Sequence, residues 1–277
     1  MISYFSGGLL GLVQGVTEFL PISSDGHLTL IESFVPGLQP DLSFNIFLHG
    51  ATFLAVLIYF RRDVGYLFQG FIMSFVPLFR ARSFRPMVND EWMLSAWLIL
   101  LASIPTALVG FLLKDVTEQF LMTRFYAAVG EVFTGVWILL SCLLMYHFRQ
   151  HHTTRTNISA VQVICIGLMQ GIAVLPGVSR SGSTIATGLM FGIEPRKMAR
   201  FSFLMALPAV FGALLLELPN IIGNMRFDGV SLFSFLVAFV VGLASIHIFL
   251  KTITHAWFWL YGVYCLVLGA VVLIFFV

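Results

Sequence analysis

The chain has 277 residues, 59% of them hydrophobic and only 10% charged, with a mean hydropathy of +0.96. Soluble domains carry roughly 25% charged residues, so the composition excludes an ordinary soluble globule and points to a polytopic membrane protein, as do the 29 Phe and 24 Gly. A net charge of +2 is too small to argue for a nucleic-acid partner.

A bilayer-crossing helix needs about 20 apolar residues. The first segment, 2–20, is apolar but runs into a polar, Pro- and Gly-broken knot, QGVTEFLPISSDGH at 14–27. It lacks a basic leader and contains Gln14 and Glu18, which argues against a cleaved signal peptide. A clear span follows at about 43–60. The stretch 64–79 is apolar yet flanked by arginines, and is expected to lie in the interface or dip part-way in. Spans at about 93–113 and 123–147 come next, the second with Glu131 at mid-depth. A structural hydrogen bond to a neighbouring helix is the expected role of that carboxylate.

His147, His151 and His152 sit in HFRQHHTTR, which reads as a basic loop near anionic lipid rather than a metal site. Segment 159–175 is again apolar and ends in a second knot, PGVSRSGST at 176–184. Spans at about 201–218, 230–250 and 257–277 complete the chain. Ser202 falls in the first of these, where it can line a pocket or serve helix packing, and Glu217 near its outer end is expected to be solvated. Cys142, Cys165 and Cys265 lie within apolar runs and behave as small hydrophobes rather than a disulfide framework.

The two knots are related. GLVQGVTEFLPISSDGH begins at Gly11 and GLMQGIAVLPGVSRSGS at Gly167, an offset of 156 residues. The same offset carries the span 43–60 onto 199–216, and each half then has two further spans. The loops at 61–92, 148–158, 194–200 and 251–256 hold eleven Lys and Arg, whereas those at 21–42, 114–124 and 219–229 hold only Lys114, Arg124 and Arg226. The positive-inside rule makes the first set cytoplasmic. Three spans per unit invert the second unit relative to the first. The expected fold is therefore an all-α polytopic membrane protein, a single membrane domain over 1–277 with an inverted-topology repeat. Repeat one covers 1–147 with 61–92 as an insertion, and repeat two covers 159–277. Six full transmembrane helices accompany two oppositely oriented re-entrant helical hairpins, and the knots mark the site, because irregular backbone at depth must be buried in protein or line a wet cavity.

Arg180 in the second knot stands at membrane depth, where a charge costs at least about 2.5–3.5 kcal/mol. Ser179, Ser181, Gly182, Ser183 and Thr184 surround it, and a helix follows. Small residues, a helix N-terminus and a guanidinium make an anion cradle. The competing role is a purely structural ion pair of Arg180 with Glu18 or Glu131. The first knot supplies hydroxyls at Ser23 and Ser24, and His27 lies three residues past Ser24, close enough in a turn for a hydroxyl–imidazole hydrogen bond. Glu18 can hold a divalent cation, with Gln14 one turn earlier as a neutral oxygen ligand and Asp25 as an extra carboxylate.

QGVTEFLPISSDGH and PGVSRSGST closely resemble the two signatures of the undecaprenyl-diphosphate phosphatase family linked to bacitracin resistance, and RFSFLMALP at 200–208 is similar too. The resemblance spans nearly the whole chain. It implies an integral membrane enzyme of the cell membrane that removes the terminal phosphate of a C55 isoprenyl diphosphate on the outer side, recycling a lipid carrier for cell-envelope polymers. It also implies a divalent cation, Mg²⁺ or Ca²⁺. By position it assigns Ser24 as the catalytic serine, His27 as the essential histidine, Gln14 and Glu18 as the acidic motif and Arg180 as the phosphate-gripping arginine. Ser24 as nucleophile with His27 as base, His27 as nucleophile and direct attack by water all remain open. Gln14 stands where many members have Glu, and Asp25 where others often have Thr or Ser. The rival expectation is an inverted-repeat transporter or flippase for a phosphorylated lipid or anion. Partners are the polyprenyl diphosphate and the bilayer, with a homodimer left open.

Overall fold

A computed structural model describes residues 3–35, 42–80, 90–117, 121, 123–150, 157–224, 228–253 and 257–277. The loop histidines His151 and His152 lie outside these residues. Eleven helices are described: α1 (Tyr4–Thr17), α2 (Ser24–Phe34), α3 (Leu42–Tyr59), α4 (Arg61–Arg80), α5 (Glu91–Val116), α6 (Arg124–Gln150), α7 (Ala160–Ile172), α8 (Arg180–Met190), α9 (Pro195–Asn224), α10 (Gly229–Thr252) and α11 (Phe258–Phe275). The chain is a polytopic membrane protein. Helices α5, α6, α9, α10 and α11 are each long and apolar enough to cross a bilayer, and α3 with α4 adds a sixth when the pair is taken as one. That pair bends by 78°, so the apolar 64–79 stretch is a helix turned across α3 rather than a further span. At the bend's end of the molecule Asp63 accepts two hydrogen bonds from Arg200, and Lys197 Nζ lies 2.8 Å from Glu91 Oε1.

The two short helical hairpins, α1–α2 and α7–α8, are built by one set of local devices. Each first helix starts with a capping box, Ser3 with Ser6 and Ser159 with Gln162, which satisfies two of the amide donors a helix start leaves open. Each then breaks at a proline, Pro21 or Pro176, and each second helix restarts on an N-cap serine. Ser23 Oγ accepts from the Gly26 amide at 3.2 Å, and Ser179 Oγ from the Gly182 amide at 3.0 Å. The break demands unusual backbone in both. Gly177 has φ +79°, and Ser23 has φ +62°, a left-handed conformation that side chains rarely adopt.

The hairpins are wedged against spans by small residues. A Cβ on Gly11 would lie 2.4 Å from the Ser234 carbonyl oxygen of α10, and one on Gly167 would lie 2.3 Å from the Ala102 oxygen of α5. Only glycine lets these backbones approach so closely. Helix α1 thus packs on α10, and α7 on α5. The spans α6 and α11 pack together, as do α3 and α9. These pairings interchange when the two halves of the chain are exchanged. Behind the first break Phe19 sits edge-on to Phe203 at 5.7 Å between ring centres, and Phe203 in turn meets Phe249 and Phe60. This aromatic cluster supplies a dry floor under Glu18.

Candidate active site

Glu18 follows the last turn of α1 and is buried. A carboxylate in that position must gather donors or remain uncharged. It gathers three. Arg180, the first residue of α8, hydrogen-bonds Oε1. Ser24 Oγ, the first hydroxyl of α2, donates to Oε2 at 2.6 Å, and Gln14 Nε2, one turn back on α1, donates to the same oxygen at 3.0 Å. His49 Nδ1 of α3 lies 3.3 Å from Oε2, an ion-pair contact when the ring is protonated. The two knots are thereby joined through one carboxylate. Arg180 makes the ion pair expected of a structural arginine, yet a quarter of its side chain (25%) stays accessible, so it also faces open space.

That space is a cavity of about 850 Å³, whose polar end is formed by Glu18, Ser23, Ser24, Asp25, Ser179 and Arg180. Its remaining walls are mainly apolar and come from α2, α3, α5, α7 and α9, with Glu32, Asn45 and His49 among the polar members. The expected phosphate cradle is narrower than the serine-rich sequence implies. Ser181 Oγ donates to the Leu20 carbonyl at 3.2 Å, which ties α8 to the first break. Thr184 Oγ1 meets Ser202 Oγ at 2.6 Å, so Ser202 serves packing. Gly182 packs on Ser179 and Pro21, and Ser183 is fully buried within the helix contact. Successive positions on a helix point in different directions, and only Ser179 and Arg180 of this run reach the cavity wall.

The expected Ser24–His27 hydrogen bond is not what the structure shows. His27 Nδ1 meets the Ser23 carbonyl oxygen at 2.7 Å, Nε2 meets the Tyr264 hydroxyl at 2.6 Å, and Glu131 Oε1 lies 3.4 Å from Nδ1. The reason is competition for the serine hydroxyl. A carboxylate accepts a stronger, charge-assisted hydrogen bond than a neutral imidazole does, so Ser24 turns to Glu18 and the ring folds back over the N-cap carbonyl. Glu131, fully buried on α6, therefore contacts the first knot itself. Glu217 also departs from expectation. It is only 9% exposed and pairs with Lys114 Nζ at 2.5 Å and Asn220 Nδ2 at 2.7 Å.

His49 was absent from the sequence expectations, although the signal existed. It is a polar side chain within an otherwise apolar span, the same ground on which Arg180 stood out. Its Nδ1 lies 2.9 Å from Gln14 Nε2 and its Nε2 lies 3.1 Å from Asp25 Oδ1. Asp25, half-exposed at the cavity edge (side chain 50%), is thereby tied to Glu18 through one imidazole. Among the described residues no three His, Cys, Asp or Glu side chains gather with metal-site geometry. Gln14 Oε1, however, is buried without a hydrogen-bond partner, and such an oxygen suits a hard cation.

A bundle of apolar spans holding two broken hairpins, with a serine, a carboxylate and an arginine converging at the head of a mainly apolar cavity, defines a polytopic membrane protein with a polar site buried among its helices. Residues 8–271 match the model of the family described as Bacitracin resistance protein BacA, and the chain belongs to that family. It is similar to the Undecaprenyl-diphosphatase of Methanosphaera stadtmanae, with 35% identity covering 99% of this chain and 98% of the relative. The proteins of the same name from Desulfosudis oleivorans and Methanobrevibacter smithii are 37% and 34% identical, covering 96% and 95% of this chain and 96% and 94% of those relatives.

Proposed function

We propose that the protein hydrolyses undecaprenyl diphosphate to the monophosphate and inorganic phosphate. The observation that carries this is the Ser24–Glu18–Arg180 cluster at the polar end of a mainly apolar cavity, and relatives named for the same activity along almost the whole chain support it. Phosphoryl transfer needs positioning and charge neutralisation more than covalent invention. Arg180 exchanges one Glu18 oxygen for the terminal phosphate, which it can grip bidentately. Ser24 Oγ attacks the terminal phosphorus and gives its proton to Glu18 Oε2, the oxygen it already bonds. The bond from phosphorus to the bridging oxygen breaks, and the lipid monophosphate leaves. Water then cleaves the phosphoserine and releases inorganic phosphate. His27 acts from behind the serine turn, where it holds the Ser23 carbonyl.

Gln14 and Glu18, with Asp25 at the cavity edge, are the oxygens to hold a divalent cation, Mg²⁺ or Ca²⁺, in the manner of ions bound by one or two protein oxygens plus substrate phosphates. When bound, that ion neutralises charge developing on the phosphate oxygens. We place the protein in the plasma membrane with the cavity opening outward, on the loop-charge asymmetry. Residues 1–147 and 159–277, each with one hairpin and three spans, form the two halves of an inverted duplication in this reading, which the 156-residue offset and the interchanging helix pairings support. The deciding assay is phosphate release from undecaprenyl diphosphate by purified protein. Lipid movement across liposomes without phosphate release would make it a flippase instead. Labelling of single cysteines placed at 36–42, with a reagent that does not cross membranes, tests the outward orientation.

A further inference from the structure

Behind the two breaks, away from the cavity, α6 presents two polar side chains on one face. Glu131 and Thr134 are three residues apart, the spacing of neighbours on a helix surface, and α6 packs on both α2 and α8. Both side chains are fully buried and neither lines the cavity. Thr134 uses both functions of its hydroxyl on the second break. Its Oγ1 donates to the Gly177 carbonyl at 3.2 Å and accepts from the Ser179 amide at 2.9 Å. Glu131 faces the first break, with Oε1 3.4 Å from His27 Nδ1. A Cβ on Gly26 would lie 2.7 Å from that oxygen and 3.0 Å from the Gly177 Cα, so the two breaks meet beside this carboxyl group.

We propose that Glu131 and Thr134 are positioning residues that hold the Ser24 turn and the Arg180 turn in register from the far side of both. The inference rests on the phosphatase reading. Each break contains a residue of left-handed φ, Ser23 at +62° and Gly177 at +79°, and unusual backbone persists only where its surroundings over-determine it. The carbonyl of each is tied. Thr134 holds the Gly177 oxygen directly. The Ser23 oxygen is met by His27 Nδ1 at 2.7 Å. A carbonyl only accepts, so Nδ1 carries the ring proton, and the Glu131 carboxyl group beside that N–H keeps the ring turned toward the break. The first turn leads into α2 at Ser24 and the second into α8 at Arg180. Because Glu131 and Thr134 belong to one helix, the line of attack from Ser24 to a phosphate at Arg180 is set by α6.

The test is phosphate release from undecaprenyl diphosphate by the full-length protein in nanodiscs, read as kcat and KM per folded molecule. Thr134→Val keeps the shape and removes the hydroxyl, which Thr134→Ser retains. Glu131→Leu removes the acceptor beside His27, and Glu131→Gln keeps one. The valine and leucine variants should each lose about tenfold or more in kcat with KM within about threefold, since misaligned attack costs rate rather than binding. The serine and glutamine variants should recover most of that loss. The double variant, Thr134→Val with Glu131→Leu, should lose less than the product of the single losses, because both disturb one alignment. Near-normal kcat in either removal variant, a loss carried by KM, no recovery with serine or glutamine, or losses that multiply would overturn the proposal. Should valine or leucine prevent folding, Thr134→Ala and Glu131→Ala carry the same expectations, and a position at which no removal variant folds is a folding residue, which also overturns its assignment. Absence of phosphate release by the unsubstituted protein would instead overturn the phosphatase reading.

Discussion

The Ser24 hydroxyl donates to Glu18 Oε2 at 2.6 Å, while the other Glu18 oxygen is held by Arg180. One carboxylate thus sits between the group expected to attack and the group expected to bind phosphate. Replacing Ser24 by Ala should lower phosphate release from undecaprenyl diphosphate by at least about a thousandfold, as loss of a nucleophile does elsewhere. Thermal stability should change little, because Glu18 keeps three other partners. A variant with near-normal turnover would remove Ser24 from the chemistry.

Arg180 is expected to be intolerant even of lysine. A lysine is a point charge without the planar fork that grips two phosphate oxygens. Arg180→Lys should lose about a hundredfold in kcat/KM and Arg180→Ala more, measured with the same phosphate-release assay. Equal activity of the lysine variant would show that charge alone suffices.

Breaking the same pair from the other side should damage the fold. Glu18→Ala leaves Arg180 without its carboxylate and with only 25% of its side chain accessible to water. Removing one partner of a buried pair costs about 3–5 kcal/mol, and the accessible quarter places the loss near 3. A thermal-shift series in detergent measures it, with Glu18→Gln expected to unfold at a temperature between that of Glu18→Ala and the unsubstituted chain.

His49 joins Asp25 to Glu18 and contacts Gln14. His49→Ala should lower kcat about tenfold by loosening both carboxylates, within the range that supporting hydrogen-bond partners contribute elsewhere. His49→Gln, which can still donate to Asp25, should recover most of that loss. If the alanine variant turns over normally, the bridge has no part in positioning the site.

Gln14 presents a buried oxygen without a hydrogen-bond partner. Chelating divalent cations should reduce turnover, and Gln14→Glu should tighten Mg²⁺ binding by about tenfold through the added charge. Mn²⁺ binding followed by electron paramagnetic resonance reads that affinity independently of activity. Unaltered affinity would place the cation elsewhere.

Much of the architecture was legible in the sequence because hydrocarbon enforces it. Apolar runs of the required length had to be spans, and polar knots within them had to be buried in protein or wet. Arg180 and Glu18 stood out on that cost alone. What could not be read was direction. Ser24 and His27 are three residues apart and look like partners, but the choice between imidazole and carboxylate was decided by Glu18, which belongs to the preceding helix. Ser181 and Thr184 looked like phosphate donors and proved to join helices, since their orientation depends on contacts with Leu20 and Ser202. His49 was passed over because its partners come from two other helices, and no local pattern records them.

The capped helix starts carry a consequence of their own. Ser23 and Ser179 begin α2 and α8 at the same point of the 156-residue offset. The residues that follow them, Ser24 and Arg180, each occupy the first helical position after the cap. The group expected to attack and the group expected to bind the anion are thus each the first helical residue after a capping serine, although the caps differ in backbone, with φ 62° at Ser23 and −68° at Ser179. The distance between Ser24 and Arg180 is then fixed by how the two hairpins face each other across Glu18, not by either hairpin alone. A shift of either capping serine would move one reactant and leave its counterpart in place, so each cap governs alignment across the whole molecule.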